Sequence, residues 1–276
     1  MRTLLALFAV LLCWSSPALA AAPHWLGSAP KGAAQRVVTL APSLTEIVLD
    51  LGRGGALVGV SRYDDAPEVQ GLQRVGGFLD PSPEAVLALA PDLVLVQPSP
   101  GNRGAVERLA QLGIPVLVLP LDTVAETLEA IRAVGKALGD AASGEALATR
   151  IRAAIESTRA AAAAGPQRKA LLVYAWKPLV VAGPASFAHE LLVAAGGENV
   201  AGTATGAYPT LSAEAALAAA PELVVDVTGG HGGGAPIPGL GARVRALRSP
   251  GLFRPGPRMV EALRELARLL GEEAPK

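Results

Sequence analysis

Phe78 stands six residues before Glu84, and Tyr208 stands six residues before Glu214. The two pairs lie 130 residues apart, beside segments that agree at nine of thirteen positions: SPEAVLALAPDLV over 82–94 and SAEAALAAAPELV over 212–224. Self-similarity at this range points to two related units. The chemistry these residue types suit is recognition. Aromatic rings in loops offer flat apolar faces to a ligand, and an acid in the first turn of a helix complements the helix dipole. In each copy Ser82 or Ser212 caps a helix, Pro83 or Ala213 takes its first position, and Ala-Pro stops it. Completing a helix start is reason enough for a glutamate there. On the residues alone, a second role for Glu84 and Glu214 stays open.

Other chemistries find no motif. The three histidines, His24, His189 and His231, have no ligand-type spacing between them; His189, on a helix after Ser186, reads as a structural residue. No metal site and no catalytic residue is expected. The Gly230–Ala235 stretch follows a strand signal, but Pro236 and Pro238 forbid the helix that a dinucleotide fingerprint needs next. There is no phosphate-binding loop, nucleophile elbow or cysteine nucleophile. Lys plus Arg balance Asp plus Glu at 24 each, which gives nucleic acid no electrostatic handle.

The elements that must position these residues follow from periodicity. Half of the 276 residues are apolar, enough for a substantial core. Residues 1–20 read as a cleavable signal peptide: Arg2, an apolar stretch from Leu4 to Trp14, then Ala18-Leu19-Ala20, with cleavage after Ala20. The lone cysteine, Cys13, falls inside it. Leu12 before it argues against lipid attachment, and the mature chain is left without a disulfide. Residues 21–35, rich in Ala, Gly and Pro, read as a flexible leader. Short unalternating apolar runs at 37–40, 57–60, 93–96 and 116–119 suit strands covered on both faces. Helical candidates lie between them. One runs from Ser43 to Leu51, where Ser43 and Glu46 have the spacing of a capping box; another runs from Pro83 to Ala90. Ala-rich helices then occupy 122–166, the second over Ala141–Ala163, before strand signals return at 170–174, 179–181 and 223–225. This order predicts an α/β fold of two Rossmann-like lobes, 36–121 and 167–276, with mostly parallel sheets. A long backbone helix joins them, and ligand is expected at the strand C-termini.

With RVVTLAPSLTEIVLDL, VGVSRYDDAP and VGGFLDPSPEAVLALAPDLVL in order, the chain resembles the helical-backbone substrate-binding proteins of bacterial ABC importers. The likeness continues through ERLAQLGIPVLVL, HELLVAAGGENV, LSAEAALAAAPELVV and RPGPRMVEAL, nearly the whole mature chain. The resemblance implies a periplasmic, monomeric binding protein that is not an enzyme. Its ligand sits in an inter-lobe cleft with little hinge bending, and an inner-membrane ABC permease is its partner. It also implies that Glu84 and Glu214 dock against permease arginines. The cobalamin-binding members are the most similar, which implies cobalamin or a related corrinoid as transported ligand, with no cofactor. Their aromatic pocket positions fall on Tyr63, Phe78 and Tyr208. The last two replace tryptophans, and Gln97-Pro98-Ser99 stands where another tryptophan is expected. Haem and ferric siderophores are the alternatives; a two-lobe α/β enzyme with catalysis in the cleft is a third reading, which the export signal and the missing motifs oppose. Tyr63 would serve as a haem-iron ligand, or Arg62, Arg103 and Arg258 would meet an anionic siderophore.

Overall fold

The computed structural model describes residues 21–228 and 237–272. The signal segment with Cys13, and the Gly-rich loop with His231, lie outside the described residues. The first sheet is built from β1 (His24–Leu26), β2 (Val37–Thr39), β3 (Leu57–Val60), β4 (Gln73–Arg74), β5 (Leu93–Val96) and β6 (Val116–Val118), in the spatial order β1-β6-β5-β2-β3-β4. All its pairings are parallel except that of β1 with β6. Helices α1 (Pro42–Asp50), α2 (Pro83–Ala88) and α3 (Arg103–Gln111) make the crossovers. Two longer helices follow, α4 (Val124–Ala137) and α5 (Ala141–Ala162), and they pack on each other. Gly135 and Gly144 allow this contact, since a Cβ on Gly135 would lie 2.8 Å from the Gly144 Cα.

The second sheet is formed by β7 (Arg168–Trp176), β8 (Leu179–Val181), β9 (Gly197–Asn199), β10 (Leu223–Asp226) and β11 (Val244–Ala246). Its order is β11-β10-β7-β8, with β9 beside the start of β7, and only the β7–β8 pairing is antiparallel. Helices α6 (Phe187–Ala194), α7 (Ala213–Ala218) and α8 (Met259–Gly271) accompany it. The central strands are apolar on both faces because both faces are covered. Val37, Leu93, Leu95 and Leu117 join one buried cluster, while their neighbours Val38, Val94, Val96 and Val116 join another. The first cluster continues through Leu128, Ile131, Ile151, Leu191 and Leu266 to Leu172 and Val225 of the second sheet. One apolar layer therefore unites the two sheets, with α5 packed against α4, α6 and α8. Among the described residues no helix is long and apolar enough to cross a membrane.

Two expectations need correction. The segment read as a flexible leader contributes β1, whose residues His24 and Leu26 pair with Val118 and Val116. The edge of β6 carries unpaired backbone donors and acceptors, and a three-residue strand satisfies them without an apolar run of its own. Helix α1 has no capping box: it starts at Pro42 after Ala41, and Ser43 and Glu46 are buried inside it. The capping box belongs to α4. There the Thr123 Oγ1 accepts from the Glu126 N–H at 3.1 Å, and Glu126 Oε2 accepts from the Thr123 N–H at 3.0 Å.

Candidate functional site

Strand C-termini of both sheets open onto one cleft of about 520 Å³. Ala41 and the first residues of α1, Pro42 and Ser43, follow β2, the loop after β3 supplies Tyr63, and Gln97 directly follows β5. Leu121 and Asp122 form the passage from β6 to α4. From the other side come Tyr174, Val180, Phe187, Tyr208, Phe253 and Arg254. This is where α/β sheets hold ligands. A larger groove of about 690 Å³ lies elsewhere, between β1 and α3, lined by His24, Leu26, Val106 and Arg103. It draws on the first sheet alone and has no aromatic side chain besides His24, so the inter-sheet cleft is the better candidate.

Tyr63, Phe78 and Tyr208 all line the cleft. Tyr63 and Phe78 are held through their backbone groups by neighbouring side chains. The Tyr63 N–H donates to Ser61 Oγ at 3.2 Å, and the Arg62 guanidinium lies 5.7 Å from the Tyr63 ring centre while pairing with Asp80. Phe78 sits on a loop tied by Asn102, which is buried and donates its Nδ2 to Phe78 O at 3.0 Å and to Gln97 O at 2.9 Å. Its Oδ1 accepts from the Ser99 N–H at 3.1 Å. Thus the residue heading α3 does not cap that helix; it fastens two cleft loops to each other.

Tyr174 and Phe253 extend the aromatic set. The Tyr174 ring centre is 4.9 Å from Tyr208 and 5.2 Å from Phe253, at 67° and 74°, both edge-to-face. Its hydroxyl donates to Leu252 O at 2.5 Å. Burial holds the Tyr174 phenol well above its ordinary range, and burial likewise pushes Tyr208 up to about 12. Both remain neutral phenols at physiological pH. Sequence reasoning missed this pair: Tyr174 ends an apolar strand run that reads as core, and Phe253 stands in a loop without a repeat partner.

The polar groups are few. Asp122 is held above the usual carboxylate range by burial, then by the nearby Glu126. Arg254 reaches the cleft with its guanidinium engaged, donating to Asp65 at 2.7 and 2.9 Å and to Glu46 Oε1 at 3.1 Å. The arginines anticipated for an anionic ligand do not converge. Arg62 pairs with Asp80, Arg103 with Glu107 along the outer groove, and Arg258 with Glu46 and Glu261. The ion pairs of α1 and the outer surface claim them, and the arginine that does line the cleft, Arg254, was not singled out.

Glu84 and Glu214 lie outside the cleft, exposed at the first turns of α2 and α7. Ser82 and Ser212 cap these helices identically, each accepting from the N–H three residues on at 3.1 Å. Hydrogen bonds from its own backbone and from Ser212 hold the Glu214 carboxyl below its usual range. Leu87 and Leu217, three residues further along, are 47% and 41% exposed. Each helix therefore presents an acid and a leucine on one face.

Against this geometry, the periplasmic binding protein family matches residues 37–232. A vitamin B12-binding protein of Salmonella typhimurium is 29% identical over 204 residues, 74% of each chain. One from Vibrio campbellii is 28% identical over 194 residues, 70% of each chain. Among solved structures, the periplasmic vitamin B12 binding protein BtuF of Vibrio cholerae superposes with a TM-score of 0.73 at 26% identity, covering 86% of this chain and 96% of that one. The periplasmic heme-binding protein RhuT from Roseiflexus is as similar: TM-score 0.74 and 28% identity, covering 87% and 98%.

Proposed function

The chain belongs to the periplasmic binding protein family, and from that premise we propose that it captures cobalamin or a related corrinoid in the inter-sheet cleft and passes it to the permease of an ABC importer. The observation that carries this reading is the set of aromatic faces converging from both sheets: Tyr63 and Phe78 on one side, Tyr174, Tyr208 and Phe253 on the other. A flat, largely apolar macrocycle edged with amides matches such walls, with Gln97 and neutral phenols to hydrogen-bond its rim. The vitamin B12-binding relatives support the same ligand. Titrating the mature chain with cyanocobalamin by calorimetry tests it. We expect one saturable site, weakened at least about tenfold by Tyr208→Ala, since about 1.4 kcal/mol of ring contact suffices for that factor. Absence of heat at tens of micromolar would overturn it.

Haem is the second reading, favoured by the equal likeness to a heme-binding structure. Tyr63 is the phenol placed to ligate iron, being 58% exposed in the cleft, whereas the raised Tyr208 resists becoming a phenolate. Under this reading haem binding gives a tyrosinate charge-transfer band that Tyr63→Phe abolishes.

Glu84 and Glu214 serve as the docking pair for the permease, one on each lobe, with Leu87 and Leu217 as apolar companions. Their exposure and repeat-related placement support this role. The lobes are 36–121 and 167–276, joined by 122–166. The chain is exported through a signal peptide cut after Ala20, acts as a monomer in the periplasm without nucleic acid, and carries its ligand as cargo; it has no cofactor of its own.

A further inference from the structure

The start of α4 has more negative charge than its capping requires. Glu126 is 6% exposed and uses both oxygens. Oε2 accepts from the N–H groups of Asp122 and Thr123 at 2.9 and 3.0 Å, closing the capping box. Oε1 points the other way and accepts from the backbone nitrogen of Ala21 at 2.8 Å, across 105 residues of chain. Two more carboxylates face this helix end. Asp122 precedes it, and Glu190 of α6 accepts from the Val124 N–H at 3.1 Å. Both are held above their ordinary range, by burial first and with Glu126 adding to it. The balancing charge on Glu190 comes from Arg159 of α5. β1 brings His24, which is exposed and whose Nδ1 lies 3.2 Å from Ala22 O. The antiparallel pairing of β1 with β6 explains why Ala21 arrives here: the register His24↔Val118 carries the preceding residues alongside the exit of β6, toward Asp122.

We propose that the Glu126 carboxylate is the receiving site for the α-ammonium of Ala21, so that cutting the chain after Ala20 itself creates an ion pair tying β1 to α4. The inference rests on the export reading, which places the cut between Ala20 and Ala21. Hydrolysis there breaks one C–N bond. Water supplies the hydroxyl that leaves Ala20 as a carboxylate, and the released nitrogen takes up protons to become –NH₃⁺. In the uncut chain the Ala21 nitrogen is a neutral amide donor to Oε1. After cutting, the same atom in the same place carries a positive charge beside a buried carboxylate that itself acts on Asp122 and Glu190. A charge-assisted bond replaces an ordinary one, and the local excess of negative charge falls. β1, a strand of only three residues on a sheet edge, gains an anchor at its open end.

The experiment uses the mature chain. An intact mass of protein recovered from the periplasm reports the first residue, and a start other than Ala21 overturns the export premise by itself. Chain beginning at Ala21 is then compared with the same chain acetylated at its α-amine, in wild type and in Glu126→Gln, which keeps an acceptor for the capping box. Acetylation should lower Tm by about 2–4 °C in wild type and by less than half as much in Glu126→Gln. The Ala21 amine should titrate above its ordinary value of about 7.7–8.0. Because its folded-state pKa is raised, its contribution is full below the unfolded value and is lost as pH rises through the folded one. Equal losses on acetylation in both backgrounds, no loss in either, or an amine with an ordinary pKa would each overturn the proposal.

Discussion

His189 shows how a single side chain can be assigned from its partners. Asn199 donates its Nδ2 to Ala182 O at 2.9 Å and accepts at Oδ1 from the Ala201 N–H at 3.0 Å, which fixes the orientation of its amide. That Nδ2 lies 3.1 Å from His189 Nδ1. An amide nitrogen only donates, so Nδ1 is the unprotonated ring atom and the proton sits on Nε2. Protonating Nδ1 would set two donors face to face, and burial independently holds the His189 pKa below its ordinary value. A base with a depressed folded-state pKa contributes stability above its unfolded pKa, near 6.5, and loses it as pH falls. We therefore expect Tm to drop between pH 7 and pH 5 by less in His189→Gln than in wild type, as scanning calorimetry would show. At pH 7 the substitution should cost about 0.5–1.5 kcal/mol, a hydrogen bond's worth. The structural reading of His189 was legible from its place after Ser186. Its tautomer was not, because Asn199 reaches it from β9.

The repeat extends beyond side chains to a strained backbone. Ala90 and Ala220, 130 residues apart, are the non-glycine residues with positive φ among the described residues, at 43° and 46°. Each follows a six-residue helix, α2 or α7, and precedes a proline that begins the approach to β5 or β10. The left-handed turn lets the chain reverse within two residues, and glycine usually makes it. Alanine there costs roughly 1–2 kcal/mol, part of which glycine would return as unfolded-state entropy. Ala90→Gly and Ala220→Gly should each stabilise the protein by about 0.5–1 kcal/mol, and additively, since the sites are far apart. Urea unfolding of the two single variants and the double variant checks this; destabilisation would show that the turns are not strained. Strand and helix limits were largely legible because they depend on local periodicity. β1 was not, because a strand of His24, Trp25 and Leu26 is recruited by the free edge of β6 and not by its own pattern.

Across the whole molecule, Arg254 joins the lobes. It follows β11 in the chain yet bonds to Glu46 of α1 and Asp65 after β3, residues 208 and 189 positions away. Glu46 is the costly member. Burial holds its carboxyl above its usual range despite two arginines, and its Oε2 has no hydrogen-bond partner. Asp65 is 68% exposed in its side chain and adds little. Arg254→Met should destabilise by about 2–4 kcal/mol, because Glu46 stays buried with only Arg258 at 3.4 Å. Glu46→Leu together with Arg254→Met should recover most of that loss. If the double variant unfolds at the same urea concentration as the single one, the cost lies elsewhere than in the stranded carboxylate. Because Arg254 also lines the cleft, the single variant should loosen ligand binding while the aromatic walls stay in place.

The amino-acid sequence by itself determined the alternation of strands and helices, the duplication into two units, the length of α5 and the loops that bear Tyr63, Phe78 and Tyr208. The duplication is written in the likeness of 82–94 to 212–224; the others rest on interactions within a few turns of chain: apolar period, caps, and proline stops. Only the tertiary structure decided which aromatics stack behind Tyr208, that Asn102 ties two cleft loops, and that Glu46 serves an inter-lobe ion pair and not a helix cap. Spacing proposed Ser43 and Glu46 as a box because a glutamate three residues after a serine satisfies a helix start wherever one occurs. What Glu46 meets instead is an arginine 208 residues later. No local pattern encodes a partner brought alongside by packing two sheets on a common layer of helices.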